Sequence, residues 1–308
     1  MKFARRNRFQ ASILGPILLF FATGAAAQEL EPRAYFPVPT GGNLLISAFT
    51  YQSGEVLLDP SLPITDLSAK LGIATLGYAR TFSFFGKYAN AQFGLPGAHL
   101  SAEGNVFEER RSTTRTGIGD ARAKLAVSFL GAPALTAAEF ARHKPETILG
   151  ASISVSTPTG EYDPSKMINL GANRWAFKPE LAVSHPIGRW LLDAYAGVWL
   201  FTANDDFYGG QKRTQDPLFT FQAHASYTIR PSLWIAADAT FYSGGQSTVG
   251  GTVKQDFQKN SRVGLTVSLP VAKGHSVKLS AATGASTRIG QDFNTVGLAY
   301  QYIWLDKR

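Results

Sequence analysis

The chain has 308 residues, 44% of them hydrophobic and 17% charged, with a formal net charge of +8 and no cysteine. The missing Cys excludes a disulfide framework and thiolate metal sites, and no apolar run reaches the ~20 residues that a membrane-spanning helix needs. The basic balance does not mark a nucleic-acid binder: the first 27 residues hold four of the 30 Lys and Arg and none of the 22 acids, so the remainder carries about +4, without a clustered basic stripe.

Lys2, Arg5, Arg6 and Arg8 form a basic n-region, the run from Ala11 to Ala22 an apolar h-region, and Ala25-Ala26-Ala27 a small-residue cleavage site. This pattern predicts a secretory signal peptide over residues 1–27 and a mature chain starting near Gln28. Residues 28–39 read as an irregular, Pro-bearing lead-in. Strand-length segments then follow at 43–51, 70–82, 88–96, 118–129, 148–157, 173–185, 190–202, 218–229, 233–242, 262–269 and 276–287, with a last one beginning at Phe293. Long connections are predicted at 55–66, 103–115, in the segment with Asp163-Pro164, from Asn204, and in the Gly-rich stretch ending at Phe257. Between them fall tight turns such as Phe85-Gly86-Lys87, Pro186-Ile187-Gly188-Arg189 and Arg230-Pro231-Ser232. The even count and the regular exchange of short turns with long loops predict an all-β fold. We read residues 28–308 as one transmembrane antiparallel up-and-down β-barrel of about twelve strands.

One short-side connection is long. Within it Thr136-Ala137-Ala138-Glu139 has the spacing of a capping box, which predicts a short periplasmic helix over Ala137–Arg142 that covers the barrel mouth or, in a second reading, docks a partner. The final strand puts Val296, Leu298, Tyr300, Tyr302 and Trp304 on one face, and Thr295, Gly297, Ala299 and Gln301 on the other. In a barrel the first face meets lipid, with aromatics at the headgroup level. Thr295, Gly297, Tyr300 and Tyr302 also follow the order of the terminal-strand signal read by the outer-membrane assembly machinery. The expected location is therefore the bacterial outer membrane, with its lipids and lipopolysaccharide as surroundings and that machinery as a partner.

Several blocks resemble a known family. They are residues 29–35 (ELEPRAY), 58–64 (LDPSLPI), 131–135 (GAPAL), 169–180 (NLGANRWAFKPE) and 204–210 (NDDFYGG). The chain is similar over nearly its whole mature length to bacterial outer-membrane proteins associated with the meta-degradation pathway of phenol, usually labelled transporters. The resemblance implies a barrel that takes up aromatic or other hydrophobic compounds, and it carries no catalytic residues.

Parity assigns the lumen. Charged side chains on the lipid face cost ~2–4 kcal/mol near the bilayer midplane, so on cleanly alternating strands the charges must point inward. This sends Asp120, Arg122, Lys124, Arg174, Lys178, Glu180, His224, Asp238 and Arg262 into the lumen, with Gln222 and Lys278, as the candidate solute path. The alternation is not clean on the first three strands or the seventh. Twelve strands fall between a filled barrel and an aqueous pore, so the expectation is a narrow or partly plugged channel for small organic solutes. The same charges could instead neutralise one another in a sealed structural barrel. A third reading is an outer-membrane lipolytic enzyme, because His224 and Ser226 lie two apart on one strand face, the spacing of a base and a nucleophile. Parity turns both inward, away from lipid, and the sequence reading assigns no catalytic residue, cofactor or metal. His99, His143, His185 and His275 are placed in loops or at strand ends, in no ligand spacing.

Overall fold

The computed structural model describes residues 30–58 and 64–306, so the signal segment, part of the 58–64 block and the last two residues lie outside the described residues. In chain order the strands are β1 (Gly42–Leu57), β2 (Ile64–Phe84), β3 (Lys87–Val106), β4 (Glu109–Ile118), β5 (Arg122–Pro133), β6 (Ile148–Ser156), β7 (Ala176–Ile187), β8 (Trp190–Phe201), β9 (Asn204–Phe207), β10 (Gln211–Gln215), β11 (Leu218–Arg230), β12 (Leu233–Gly244), β13 (Ser247–Val249), β14 (Thr252–Val253), β15 (Gln258–Ala272), β16 (His275–Ser286) and β17 (Gly290–Leu305). One helix, α1 (Ala137–Phe140), interrupts them.

β1 pairs with β17 from Gly42 opposite Leu305 to Leu57 opposite Gly290, and with β2 on its other side. The remaining barrel strands pair in the order β17, β16, β15, β12, β11, β8, β7, β6, β5 and β3, and β3 returns to β2. β4 and β5 both pair with β3, end to end, and make one broken strand. The result is a closed antiparallel barrel of twelve strand positions. Closure leaves no strand edge facing hydrocarbon, which a membrane-spanning sheet requires.

The two faces follow from the period-2 pattern. On β7, Ala176, Lys178, Glu180, Ala182 and Ser184 are buried, while Leu181 and Val183 are exposed; on β11, Gln222, His224 and Ser226 are buried and Phe219 and Phe221 exposed. β17 exposes Val296, Leu298, Tyr300 and Trp304. In water this outer surface would be a large apolar liability, whereas in a bilayer it is the lipid-facing belt.

The short-turn end, periplasmic in barrels of this kind, carries Phe85-Gly86, Gly188, Ser232 and Gly274, all at positive φ. Phe85-Gly86 has two left-handed residues in a row, the twist that matches a right-handed hairpin. α1 lies at this end with both halves of its capping box formed. Glu139 N donates to Thr136 Oγ1 at 3.4 Å, and Thr136 N to Glu139 Oε2 at 2.9 Å. It ends at Phe140, two residues before the expected limit, and Ala141 and Arg142 continue as a hydrogen-bonded turn.

The long-loop end differs from expectation in two places. The segment 103–115, read as a charged loop, is the tip of a hairpin in which β3 and β4 project together, and Phe107-Glu108 makes the turn with both φ values positive. That hairpin also puts His99 inside β3, with its Nδ1 2.7 Å from Thr116 Oγ1, and not in a loop. In the stretches following Asn204 and preceding Phe257, β9, β10, β13 and β14 form a separate four-stranded sheet beside the mouth. Strands of two to five residues are too short to leave a periodic trace in sequence.

Candidate functional site

Residues 30–41 turn into the barrel. Thr40 N donates to Leu135 O at 2.8 Å and Gly41 N to Thr81 O at 3.0 Å, which anchors the segment at the periplasmic rim. From there the chain runs back to Leu30, which meets Gly264 on the opposite wall: a Cβ at that glycine would lie 2.7 Å from Leu30 Cδ1. The segment is a plug, and the wall meets several of its polar groups. Tyr35 OH donates to Glu180 Oε1 at 2.9 Å and lies 2.7 Å from Ser152 Oγ. Ala34 N donates to Tyr195 OH at 3.2 Å, Arg33 N to Asp193 Oδ2 at 3.2 Å, and Arg33 Nη2 to Thr228 Oγ1 at 2.7 Å. Gly150 makes room for the plug, since a Cβ there would sit 2.7 Å from Tyr35 Cδ1. Burial, and then the neighbouring Glu180 charge, push the Tyr35 phenol above its ordinary range, so it stays a donor.

The charges predicted to line the lumen fall into two sets. One is a plug-level network. Lys178 Nζ lies 3.1 Å from Glu180 Oε2, and Lys124 Nζ lies 3.8 Å from Glu180 Oε1 and 3.1 Å from Glu31 Oε2. The Lys124 ammonium holds the Glu31 carboxyl well below its ordinary range, with Lys178 and Lys278 adding to the effect. Farther along the same wall His224 Nδ1 sits 2.7 Å from Asp238 Oδ1, and Thr266 Oγ1 donates to Asp238 Oδ2 at 2.7 Å. His224 is therefore turned toward Asp238. Its Nε2 and Ser226 Oγ have no hydrogen-bond partner among the described residues, so the two do not form a base–nucleophile pair.

The second set lies nearer the long-loop end. Asp120 is on no strand: it occupies the break between β4 and β5, where Oδ1 accepts from Gly160 N and Oδ2 from Ala172 N, both at 2.8 Å. Its carboxylate clamps loop 157–175 over the notch that the break leaves. Gly160 and Gly171 touch beneath the clamp, each so close that a Cβ on either would lie under 3.0 Å from the other's backbone. Arg174 precedes β7 instead of lying on it, donates to Gln215, and stacks 4.4 Å over Phe201. Arg122 and Arg262 face a cavity of about 320 Å³ above Leu30.

That cavity exposes a side of the lumen that parity did not reach. Leu71, Leu100 and Ile73, on β2 and β3, line it with Gln52, Leu170 and Thr295. Above it, Val56, Leu67, Ala69, Ala102, Ile168 and Phe293 form an apolar cluster inside the barrel. The lumen thus has a charged, hydrogen-bonding wall on β5–β12 and an apolar wall on β1–β3. Asp193 and Tyr195 on β8 were missed for the same reason as Leu71 and Leu100: their strands carry apolar residues on both faces. The one sequence signal for the plug was the 29–35 block itself. The 169–180 and 204–210 blocks meet at the outer mouth, where Asn204 Nδ2 donates to Ala172 O at 3.2 Å and Asn173 Nδ2 to Asn204 Oδ1 at 3.1 Å. Among the described residues no cluster of His, Asp and Glu could hold a metal ion.

A solved outer-membrane channel from Pseudomonas putida F1 superposes with a TM-score of 0.78 at 20% identity, over 90% of this chain and 100% of that one. The translocator domain of the autotransporter NalP from Neisseria meningitidis gives 0.54 at 10% identity, over 92% and 94%. The β domain of the Bordetella autotransporter BrkA gives 0.51 at 11% identity, over 86% and 100%. At such identities the likeness is one of fold. Comparison with curated protein sequences gives no match. Residues 45–302, nearly the whole barrel, match the family described as "Putative MetA-pathway of phenol degradation", and the chain belongs to that family.

Proposed function

We propose that this barrel is an outer-membrane channel for small organic solutes, with aromatic and hydrophobic compounds among those it accepts. The observation that carries the reading is the mixed cavity of about 320 Å³ in the lumen, lined by Leu71 and Leu100 and by Arg122 and Arg262. That volume is in the range of small-molecule sites, and a mixed lining suits a solute with a greasy body and a polar group. Family membership supports the link to phenolic compounds. The apolar belt supports residence in the outer membrane, among its lipids and lipopolysaccharide, and the final strand supports delivery by the assembly machinery through Thr295, Gly297, Tyr300 and Tyr302. The reading needs no catalytic group or cofactor.

One observation favours a second reading, a structural barrel with a sealed lumen: the plug hydrogen-bonds to the wall through Tyr35 and Arg33, and Lys124, Lys178 and Glu180 pair among themselves. Proteoliposome swelling separates the two. A channel of this lining admits phenol, benzoate and benzyl alcohol faster than protein-free liposomes do, and admits them ahead of disaccharides. Equal swelling with and without protein for every solute would leave only the sealed barrel.

A further inference from the structure

The cross-strand register assembles a belt around the cavity that pairs a cation with an apolar wall. Arg262 on β15 reaches across β16 to β17, where Nη2 donates to Phe293 O at 2.8 Å and to Thr295 Oγ1 at 3.0 Å. Small residues let it pass: Ala282 lines the cavity beneath it, and Gly284 stands opposite Arg262. Thr295 is registered with Gln52, Gln52 with Leu71, and Leu71 with Leu100. At one level of the barrel the sequence of side chains is therefore cation, hydroxyl, amide, leucine, leucine. One residue pair nearer the periplasm, Ile73 extends the apolar half.

Two features of this belt are incomplete without a ligand. Arg262 is 3% exposed, has no carboxylate in salt-bridge range, and keeps Nε and Nη1 without a partner among the described residues. A buried guanidinium in that state has donors left unmet. Of the acids near it, Asp292 acts through space without a salt bridge and accepts from Thr287 Oγ1 at 3.1 Å, and Asp120 is committed to the Gly160 and Ala172 amides. Gln52, 6% exposed, likewise has an Oε1 without a partner among the described residues, an acceptor that asks for a donor.

We infer that this cavity is a binding site for a small aromatic carboxylate bearing a hydroxyl group: the carboxylate on Arg262, the hydroxyl donating to Gln52, and the ring against Leu71, Ile73 and Leu100. A carboxylate matches Arg262 in charge and geometry. A neutral greasy solute would leave Arg262 and Gln52 unsatisfied, and a small aliphatic acid would leave the leucine wall empty. The site deepens the channel reading by naming its substrate class.

The test is calorimetric titration of the purified barrel in detergent with 2-hydroxybenzoate, benzoate, benzamide and acetate. The expected order is 2-hydroxybenzoate tightest, benzoate next, and benzamide and acetate at least tenfold weaker. Arg262→Gln should weaken 2-hydroxybenzoate at least tenfold while leaving heat-modifiable migration intact. Gln52→Leu should abolish the preference for 2-hydroxybenzoate over benzoate. Equal binding of benzoate and benzamide, or an Arg262→Gln protein that binds as wild type does, overturns the proposal. If Arg262→Gln fails to fold, Gln52→Leu and the ligand series decide the question on their own. Swelling identifies which idea has failed: binding without flux sinks the channel and keeps the site, and flux without binding does the reverse.

Discussion

Replacing Asp120 by Ala removes the clamp that closes the break between β4 and β5. The carboxylate is buried and accepts two backbone N–H groups, from Gly160 and Ala172, at 2.8 Å each. Hydrogen bonds to a charged group contribute about 1.5–3 kcal/mol apiece, so losing both removes at least about 3 kcal/mol from the closed state of loop 157–175. That is a rise of about a hundredfold in the population of the open loop. Asp120→Asn keeps one acceptor oxygen and should cost about half as much, a rise of about tenfold. Hydrogen–deuterium exchange of peptides spanning 157–175, with the barrel in nanodiscs, reads this directly. Exchange should be graded, slowest in wild type, intermediate in Asp120→Asn and fastest in Asp120→Ala, with peptides from β11 and β12 unchanged. Wild-type protection in Asp120→Ala would show that the loop is held by other contacts and that the clamp argument is wrong.

Further expectations follow from the plug, the ionic network and the last strand. Tyr35→Phe keeps the buried ring but loses the bonds to Glu180 and Ser152, about 2–4 kcal/mol, so exchange in peptides covering 31–38 should rise by about thirtyfold or more; no change would mean the hydroxyl does not hold the plug. Lys178→Glu sets a second buried carboxylate beside Glu180 and should cost at least about 3–5 kcal/mol, seen as a lower unfolding temperature of the heat-modifiable band, whereas Lys178→Gln should be milder. An unshifted Lys178→Glu band would place that side chain in water and not in the network. Tyr300→Ser with Tyr302→Ser strips aromatic surface from the outside of β17 and should leave the chain in the periplasm; normal insertion would show that the last strand is not what the assembly machinery reads.

What was legible in the sequence depended on how strongly the two faces of a strand differ. β7 alternates Phe177, Leu181 and Val183 with Lys178, Glu180 and Ser184, and charge cannot face lipid, so its inward residues could be named from parity alone. On β1, β2 and β3 the inside holds Leu71, Ile73 and Leu100 and the outside Phe49, Leu76 and Phe93. With apolar residues on both faces the period-2 contrast disappears. The apolar half of the lumen was hidden there, and a reading built on the charged strands made the interior look more ionic than it is. The plug escaped for a different reason. Residues 30–39 contain Pro32, Pro37 and Pro39 and no period, and their burial comes from contacts with strands distant in sequence, from Thr81 and Tyr88 to Ser152 and Glu180. The capping box was legible because it is local: Thr136 and Glu139 satisfy each other within one turn. Phe107-Glu108 was not, because a left-handed turn without Gly or Asn carries no signature.

The account rests on a lumen through which solute passes beside or behind the 30–38 segment, and single-channel conductance in planar bilayers tests that most directly. Wild type should show small unitary currents, because Tyr35, Arg33 and Leu30 occupy the cross-section. A variant lacking residues 30–38 leaves every barrel strand intact and should raise the unitary conductance severalfold. Equal conductance in the two proteins, both correctly inserted, would contradict the account, because the segment would then not stand in the path.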